Sequence, residues 1–387
     1  MKIAGIIAEY DPFHNGHKWH IRQTRSLTGC DWVVACVDGH FTQRGEPAVL
    51  SRWDRARMAL ACGADAVFEL PTLYALRPAD AFARGGVAIL DGLGVDALSF
   101  GSEITDMPTL EALASLRGDE PEALSEAIRL KLAEGKSHAR ARGEAVSERL
   151  GLDYGVVNSP NAVLATEYIR AIRERGSGMR PVVIPRQGGY HDEKLGEFAS
   201  ASAIRRAWQD GRREEALKAI PEAARPWAVP DAMHPMDDML LYRLRGMSEE
   251  EIALLPDVAE GLERRVYRLC REASGREALL DALKCKRYTR ARLSRILTCA
   301  LLGLTRALVE AAPEPRYARL IGIRPGAEPL LKALSERATL PIVSRASDLM
   351  GDACFELEQR ATDIWSLLHD EPGKRVAGRE LTERFVR

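Results

Sequence analysis

The chain is expected to fold as an α/β domain built on a doubly wound, Rossmann-like parallel sheet, followed by an all-α domain. Three observations predict this. Short apolar runs alternate with helix-like segments through the first hundred residues, which is the rhythm of βαβ units. One more apolar run, Arg180-Pro181-Val182-Val183-Ile184-Pro185, follows a helical stretch, and beyond Arg206 only helical patterns are expected. Pro221, Pro226, Pro230 and Pro235 mark a boundary, dividing the chain into 1–219 and 220–387.

The elements follow in order. Lys2 to Ala8 is short and mostly apolar and ends at the turn signal Asp11-Pro12, as a buried parallel strand should; past Gly16 the pattern is helical. Asp31 to Val37, Asp65 to Leu70 and Asp96 to Phe100 read as strands, and Ser51 to Cys62 and Pro78 to Leu90 as helices that open near Ser or Pro. Leu110, Leu113 and Leu116, then Leu124, Ile128 and Leu132, recur at helical spacing and predict helices laid across the sheet. A loop through Gly188 and Gly189 leads to a helix expected to open near Ser202. The second domain is expected to contain helices at Ser248 to Leu254, Ala259 to Ala273, Arg276 to Lys284, Thr289 to Ala311 and Pro329 to Arg337.

Composition bounds the function. With 387 residues, 46% of them hydrophobic, the chain can bury a large core. No apolar run approaches the roughly eighteen residues of a membrane span, and no charged-then-apolar leader precedes the first strand, so a cytoplasmic protein with no membrane association is expected. Seven cysteines without paired spacing predict reduced thiols, not a disulfide framework or a structural zinc. The net charge of −1 conceals a stretch, Lys284 to Arg295, that is rich in cations and free of carboxylates.

Chemistry concentrates in the run Ile7, Ala8, Glu9, Tyr10, Asp11, Pro12, Phe13, His14, Asn15, Gly16, His17, Lys18, Trp19 and His20. A strand, a tight turn and a helix start bring two imidazoles and free backbone N–H groups to one place, where an anion would sit, and Gly16 lets the backbone approach it. The three-residue recurrence of His14, His17 and His20 also suits a metal, but the first two straddle a glycine turn that splays them. Four loops fall where a nucleotide site would recruit them. Arg44 beside Gly45 suits a phosphate or carboxylate; Gly101 would let the backbone lie against a planar base or ribose. Asn161 is either a cap or first-turn residue or an amide on the nucleotide, and Ser202 with Arg205 opens a helix as a second phosphate cradle or a plain cap. No Walker motif or Gly-x-Gly-x-x-Gly is present. The inventory binds a triphosphate and neutralises developing charge without a protein nucleophile.

These segments resemble the tRNA(Met) cytidine acetate ligases, a bacterial branch of the nucleotidyltransferase superfamily named for its His-x-Gly-His motif. The likeness runs through Gly5 to His17, Gln43 to Ala48, Phe100 to Glu103, Ser159 to Asn161, Ser200 to Arg205, Lys286 to Ala291 and Tyr317 to Gly322, in order along nearly the whole chain. It implies the nucleotidyltransferase type of the fold and a two-step reaction. ATP and acetate give acetyl-adenylate and pyrophosphate, and the N4 amine of the wobble cytidine of elongator tRNA(Met) then takes the acetyl group, giving N4-acetylcytidine. ATP and Mg²⁺ are implied as cofactors, with no coenzyme A. His14, His17 and Arg44 would be catalytic, with Lys18 as a helper, and Gly101, Asn161 and Arg186 match nucleotide contacts. Two departures stand out. Asp11 replaces the family's usual Asn, adding charge near the phosphates that Mg²⁺ could offset, and His40 in Asp38-Gly39-His40-Phe41 replaces another Asn. The second puts in doubt any cytosine or acetate contact at that position.

For RNA, Lys286, Arg287, Arg290 and Arg292, with Tyr288 among them, could follow backbone phosphates along one side of a helix, or form a plain solvated face. The target base must leave its stack, which costs little in an anticodon loop that is already single-stranded. Glu9 and His40 are both candidates to assist proton removal from the cytosine amine, and the sequence does not choose between them. Two other functions stay open: a small-molecule nucleotidyltransferase, and a non-catalytic ATP-binding RNA adaptor.

Overall fold

The computed structural model describes residues 1–118, 121–136, 138–186, 195–230 and 233–387. Its first part runs β1 (Ile3–Ala8), α1 (Asn15–Thr28), β2 (Trp32–Asp38), α2 (Arg52–Ala61), β3 (Ala66–Leu70), α3 (Ala79–Gly92) and β4 (Ala97–Ser102). Three helices, Met107–Gly118, Glu122–Ala133 and His138–Leu150, lead through α4 (Pro160–Glu174) to β5 (Arg180–Pro185) and α5 (Ala201–Gln209). The first five strands are parallel. Their apolar runs have no polar face because both faces are covered. Ile3, Ile7, Val34 and Cys36 pack with Val87 and Leu90 of α3 and Ile169 of α4. Ile6, Val33, Ala35 and Val37 pack on the other side with Ile21 of α1 and Ala56 and Met58 of α2.

The strand order is β5-β4-β1-β2-β3-β6-β7. From β1 the chain moves outward through β2 and β3, then returns to place β4 on the other side of β1. The order therefore reverses between β1 and β4, and their carboxyl ends open the crevice where such sheets take ligands.

Beyond residue 220 most of the chain is helical, as expected, with Asp237–Arg245, Glu249–Ala253, Leu262–Glu272, α6 (Arg276–Leu283) and α7 (Arg290–Leu302). The single helix expected from Thr289 to Ala311 is two: α7 ends at Leu302, and a new helix, Arg306–Ala311, starts where Thr305 accepts from the Leu308 N–H at 3.3 Å. The expectation that no strand follows Arg206 is corrected. β6 (Ala318–Ile323) pairs antiparallel with β3, and β7 (Ile342–Val343) pairs parallel with β6. All six residues of β6 are buried, including Arg319, whose guanidinium meets Glu380 at 2.7 Å and Glu69 at 3.4 Å. An arginine inside the run hid the strand, because only its tertiary partners make that burial tolerable. Helices Asp237–Arg245 and α8 (Ala353–Ser366) were also not anticipated.

Arg319 belongs to a buried charge cluster that ties distant segments together. Arg52 of α2 pairs with Glu69 of β3, Glu358 of α8 and Glu380, the Glu358 contact being 2.8 Å. Among the described residues no helix is long and apolar enough to cross a membrane.

Candidate active site

The turn after β1 builds the site from its own side chains. Tyr10, in left-handed backbone conformation at φ +52°, buries its ring 4.9 Å from Phe13 and 4.8 Å from His17. His14 is the N-cap of α1: its Nδ1 accepts from the Gly16 N–H at 3.1 Å, while His17 Nδ1 accepts from the His14 N–H at 3.2 Å. This is a capping box made of two imidazoles, with the rings stacked at 3.7 Å. A Cβ on residue 16 would lie 2.8 Å from His14 Cε1, so glycine makes room for the ring. The free N–H groups expected at this helix start are engaged instead. Asn15 N–H donates to the Ala219 carbonyl at 2.8 Å, and the His17 and Lys18 N–H groups donate to the His14 carbonyl. Anion binding therefore falls to side chains. Because both Nδ1 atoms accept hydrogen bonds, each neutral ring carries its proton on Nε2, leaving an Nε2–H donor for a ligand.

A cavity of about 310 Å³ opens at the carboxyl ends of β1 and β4. From the motif it is lined by Ile7, Ala8, Glu9, Tyr10, Asp11, His14, Gly16, His17, Trp19 and His20. Arg44, Gly101, Asn161, Arg186, Ser202 and Arg205 join them, so six separated segments converge as expected. Four predicted residues do not line it. Pro12 and Phe13 are buried beneath it, the Asn15 amide donates to the Glu197 carbonyl at 2.8 Å, and Lys18 is exposed on the outer face of α1. Apolar walls that sequence reasoning missed come from Phe82, Phe100, Leu164 and Tyr168, which read in sequence as ordinary core residues.

The loops are held by a few polar contacts. Glu103, the last residue of the Phe100 to Glu103 segment and given no role in the sequence reading, accepts from Ser159 at 2.7 Å and from the Asn161 amide at 2.8 Å, with Arg186 3.8 Å away. Ser159 caps α4, which puts Asn161 in its first turn. Ser200, not Ser202, caps α5, accepting from Ala203 N–H at 3.2 Å. Ser202 is thereby left to the cavity wall, accepting from Arg205 at 3.3 Å. Arg205 also donates to the Asp11 carbonyl and lies 3.6 Å from its carboxylate, so the charge Asp11 adds is met by a guanidinium. Gly188 and Gly189 lie outside the described residues.

His20 turns away from the other two imidazoles: its Nε2 lies 3.0 Å from Ser99 Oγ, which is 2.8 Å from Thr24 Oγ1. His40, a candidate in sequence, is not at the cavity. Its Nδ1 meets Thr362 at 3.0 Å and its Nε2 accepts from Arg52 N–H at 3.4 Å, inside the buried charge cluster. Of the two candidates for proton removal only Glu9 faces the cavity, its carboxylate accepting from Gln43 N–H at 2.9 Å.

Burial, then Arg186 and Arg205, pushes His14 down to about 3; burial and Arg186 push His20 down to about 4; burial, then His14 and His20, also lowers His17. All three are neutral near pH 7. Burial pushes Glu9 up against its hydrogen bond from Gln43.

The basic run divides. Lys286 and Arg287 are exposed in the turn before α7 and edge a second cavity of about 370 Å³. Arg290 is paired with Glu277 and, at 2.7 Å, with Asp281, while Arg292 donates to the Asp257 carbonyl at 2.7 Å and lies over the Tyr288 ring. A run free of acids in sequence is not free of them in space, because α6 supplies two.

A doubly wound sheet, a cavity at its switch point and paired imidazoles capping the first helix together define a class, the α/β nucleotide-binding proteins of nucleotidyltransferase type. Residues 1–380 match the family described as HIGH Nucleotidyl Transferase. The chain is similar to the tRNA(Met) cytidine acetate ligases of Thermoanaerobacter sp. (strain X514), at 34% identity over 100% of both chains, and of Syntrophotalea carbinolica, at 38% over 95% of this chain and 94% of that one. Its fold matches the crystal structure of Thermotoga maritima TmcAL bound with alpha-thio ATP, with a TM-score of 0.90 at 30% identity over 100% of this chain and 99% of the other. The chain belongs to the tRNA(Met) cytidine acetate ligase family of HIGH nucleotidyl transferases.

Proposed function

We propose that this chain is an ATP-dependent ligase that activates acetate as acetyl-adenylate and acetylates the N4 amine of the wobble cytidine of elongator tRNA(Met). The observation that carries the reading is the pair of neutral Nε2–H imidazoles beside Arg186 and Arg205, in a cavity that also receives Arg44. An acetate oxygen attacks the α-phosphorus and pyrophosphate leaves; the cytosine amine nitrogen then attacks the acetyl carbonyl carbon, AMP leaves, and the amine loses a proton. Both steps develop negative charge on phosphate oxygens, which His14, His17 and the arginines are suited to stabilise without forming a covalent intermediate.

Mg²⁺ belongs to this reaction as part of the nucleotide substrate. Among the described residues the one convergent set of metal-ligating side chains, His40, Glu358 and Glu380, is bonded to Arg52, Arg319 and Thr362, away from the cavity, so it supplies no metal seat for the phosphates. Residues 1–219 would hold the nucleotide, and Lys286 and Arg287 the RNA backbone.

Incubation with ATP, Mg²⁺, acetate and unmodified elongator tRNA(Met), without coenzyme A, is expected to yield N4-acetylcytidine at the wobble position, read by mass spectrometry of the digested RNA. Acetate-dependent ATP–pyrophosphate exchange without that product would point to a small-molecule transferase; ATP binding without exchange would point to an adaptor.

Two further outcomes are expected. The cavity imidazoles are uncharged in the free protein, and the His14 and His17 Nδ1 atoms are occupied by backbone N–H donors, so ATP is expected to bind neutral rings with no proton uptake by the protein between pH 6 and 8. Calorimetry of MgATP binding in buffers of different ionisation heat checks this: a binding enthalpy independent of the buffer is expected, and an uptake near one proton that His17→Ala removes would show that a cavity imidazole binds the nucleotide in its charged form. For RNA, Lys286→Ala with Arg287→Ala is expected to weaken tRNA binding and reduce the salt slope by about two counter-ions, leaving ATP–pyrophosphate exchange as in the parent.

A further inference from the structure

The loop that carries Arg44 into the cavity is held from outside by the helical part of the chain. Within the loop, Thr42 N–H donates to the Glu46 carbonyl and Gly45 N–H to the Thr42 carbonyl, both at 2.9 Å, making a tight turn with Arg44 and Gly45 at its tip. That tip rests on α7. A Cβ on residue 45, at φ +75°, would lie 2.7 Å from the Ser294 carbonyl carbon and 2.8 Å from Arg295 N, so only glycine allows the loop to lie flat on the helix backbone.

Ser294 and Thr298, four residues apart, share the helix face beneath the tip, and both are buried. Thr298 donates to the Gly45 carbonyl at 2.7 Å, and Ser294 donates to the Arg44 carbonyl. Behind them Arg276, the first residue of α6, donates to Ser294 Oγ at 2.6 Å and to the Gly45 carbonyl at 3.2 Å. The single Ser294 hydroxyl proton has the Arg44 carbonyl as its nearer acceptor, with the Gly45 carbonyl at 3.3 Å. On the cavity side the Glu9 carboxylate accepts from Gln43 N–H. The backbone on both sides of the Arg44 Cα is therefore fixed, one side by the cavity floor and the other by α7.

We propose that Ser294 and Thr298, supported by Arg276, are positioning residues for Arg44. They hold the peptide planes that follow it so that the guanidinium meets the substrate's anionic group already oriented. The inference rests on the function proposed above, and it adds that a helix carrying part of the basic run also sets the geometry of the phosphate site. Orientation of this kind raises turnover and has little effect on nucleotide affinity, because the other nucleotide-facing groups lie at the ends of β1 and β5 and on α1, β4, α4 and α5.

The test compares the parent with Ser294→Ala/Thr298→Val and with Thr298→Ser. In acetate-dependent ATP–pyrophosphate exchange the double variant is expected to lose about tenfold or more in kcat, with KM for ATP close to the parent and the melting temperature lowered by only a few degrees. Thr298→Ser keeps the hydroxyl and should retain parental turnover. NMR relaxation of the Arg44 Nε–H group reads the positioning directly and is expected to show faster motion in the double variant only. Unchanged kcat, a loss shared by Thr298→Ser, or unchanged Arg44 mobility overturns the proposal. If the parent shows no acetate-dependent exchange, the functional reading fails, and the Arg44 relaxation measurement still decides the positioning role.

Discussion

His14→Asn is expected to lower acetate-dependent ATP–pyrophosphate exchange by about 10²- to 10³-fold with little change in melting temperature. The reasoning separates the two roles of this side chain. As the N-cap of α1, His14 accepts from the Gly16 N–H, and asparagine is among the best residues for that role. What asparagine cannot supply is the Nε2–H donor on a ring stacked at 3.7 Å against His17. His17→Ala should lose exchange to a similar degree, and it also removes the acceptor for His14 N–H, which costs stability of about 1 kcal/mol. Exchange within a few-fold of the parent in His14→Asn would show that the imidazole matters only as a cap.

The second large effect is on stability. Arg52→Met is expected to destabilise the protein by about 3–5 kcal/mol, measured by chemical denaturation. Arg52 is 2% exposed and pairs with Glu69, Glu358 and Glu380; without it three buried carboxylates face Arg319 alone. The pH dependence follows from Glu358, which burial, then Glu69, pushes from 4.5 up to about 8, whereas Arg52 and Arg319 overcome burial to hold Glu380 low. A carboxyl raised in the folded state contributes stability that is fully present below its unfolded value and is lost as the pH rises through about 8. The parent should therefore lose stability between about pH 4.5 and 8 and level off above that, and the deficit of Arg52→Met, whose buried carboxylates have lost their cation, should widen over the same range. A deficit of under about 1 kcal/mol would place it among ordinary surface pairs.

The cluster also explains why part of the fold could not be read in advance. Arg319 interrupts an apolar run with a charge, and nothing within that run announces a carboxylate from β3 and another near the chain's end. The basic run failed for the same reason in reverse, since Glu277 and Asp281 reach Arg290 from a helix that precedes it in sequence. His40 sits two residues from Thr42, which does line the cavity, yet its ring points into the charge cluster.

By itself the sequence determined the alternation of the first five strands with their helices and the convergence of Glu9, His14, His17, Arg44, Gly101, Asn161 and Arg205, with Arg186 added by the family resemblance. Local patterns carry that information: apolar runs bury, turn residues end them, and in a doubly wound sheet the strand ends meet at the point where the order reverses. Tertiary structure alone decided the return of β6 to the sheet, the buried place of His40 and the grip of Ser294 and Thr298 on the Arg44 loop. Each depends on a polar group finding its partner across some 250 residues or more, and burial of such a group is favourable only once that partner is in place.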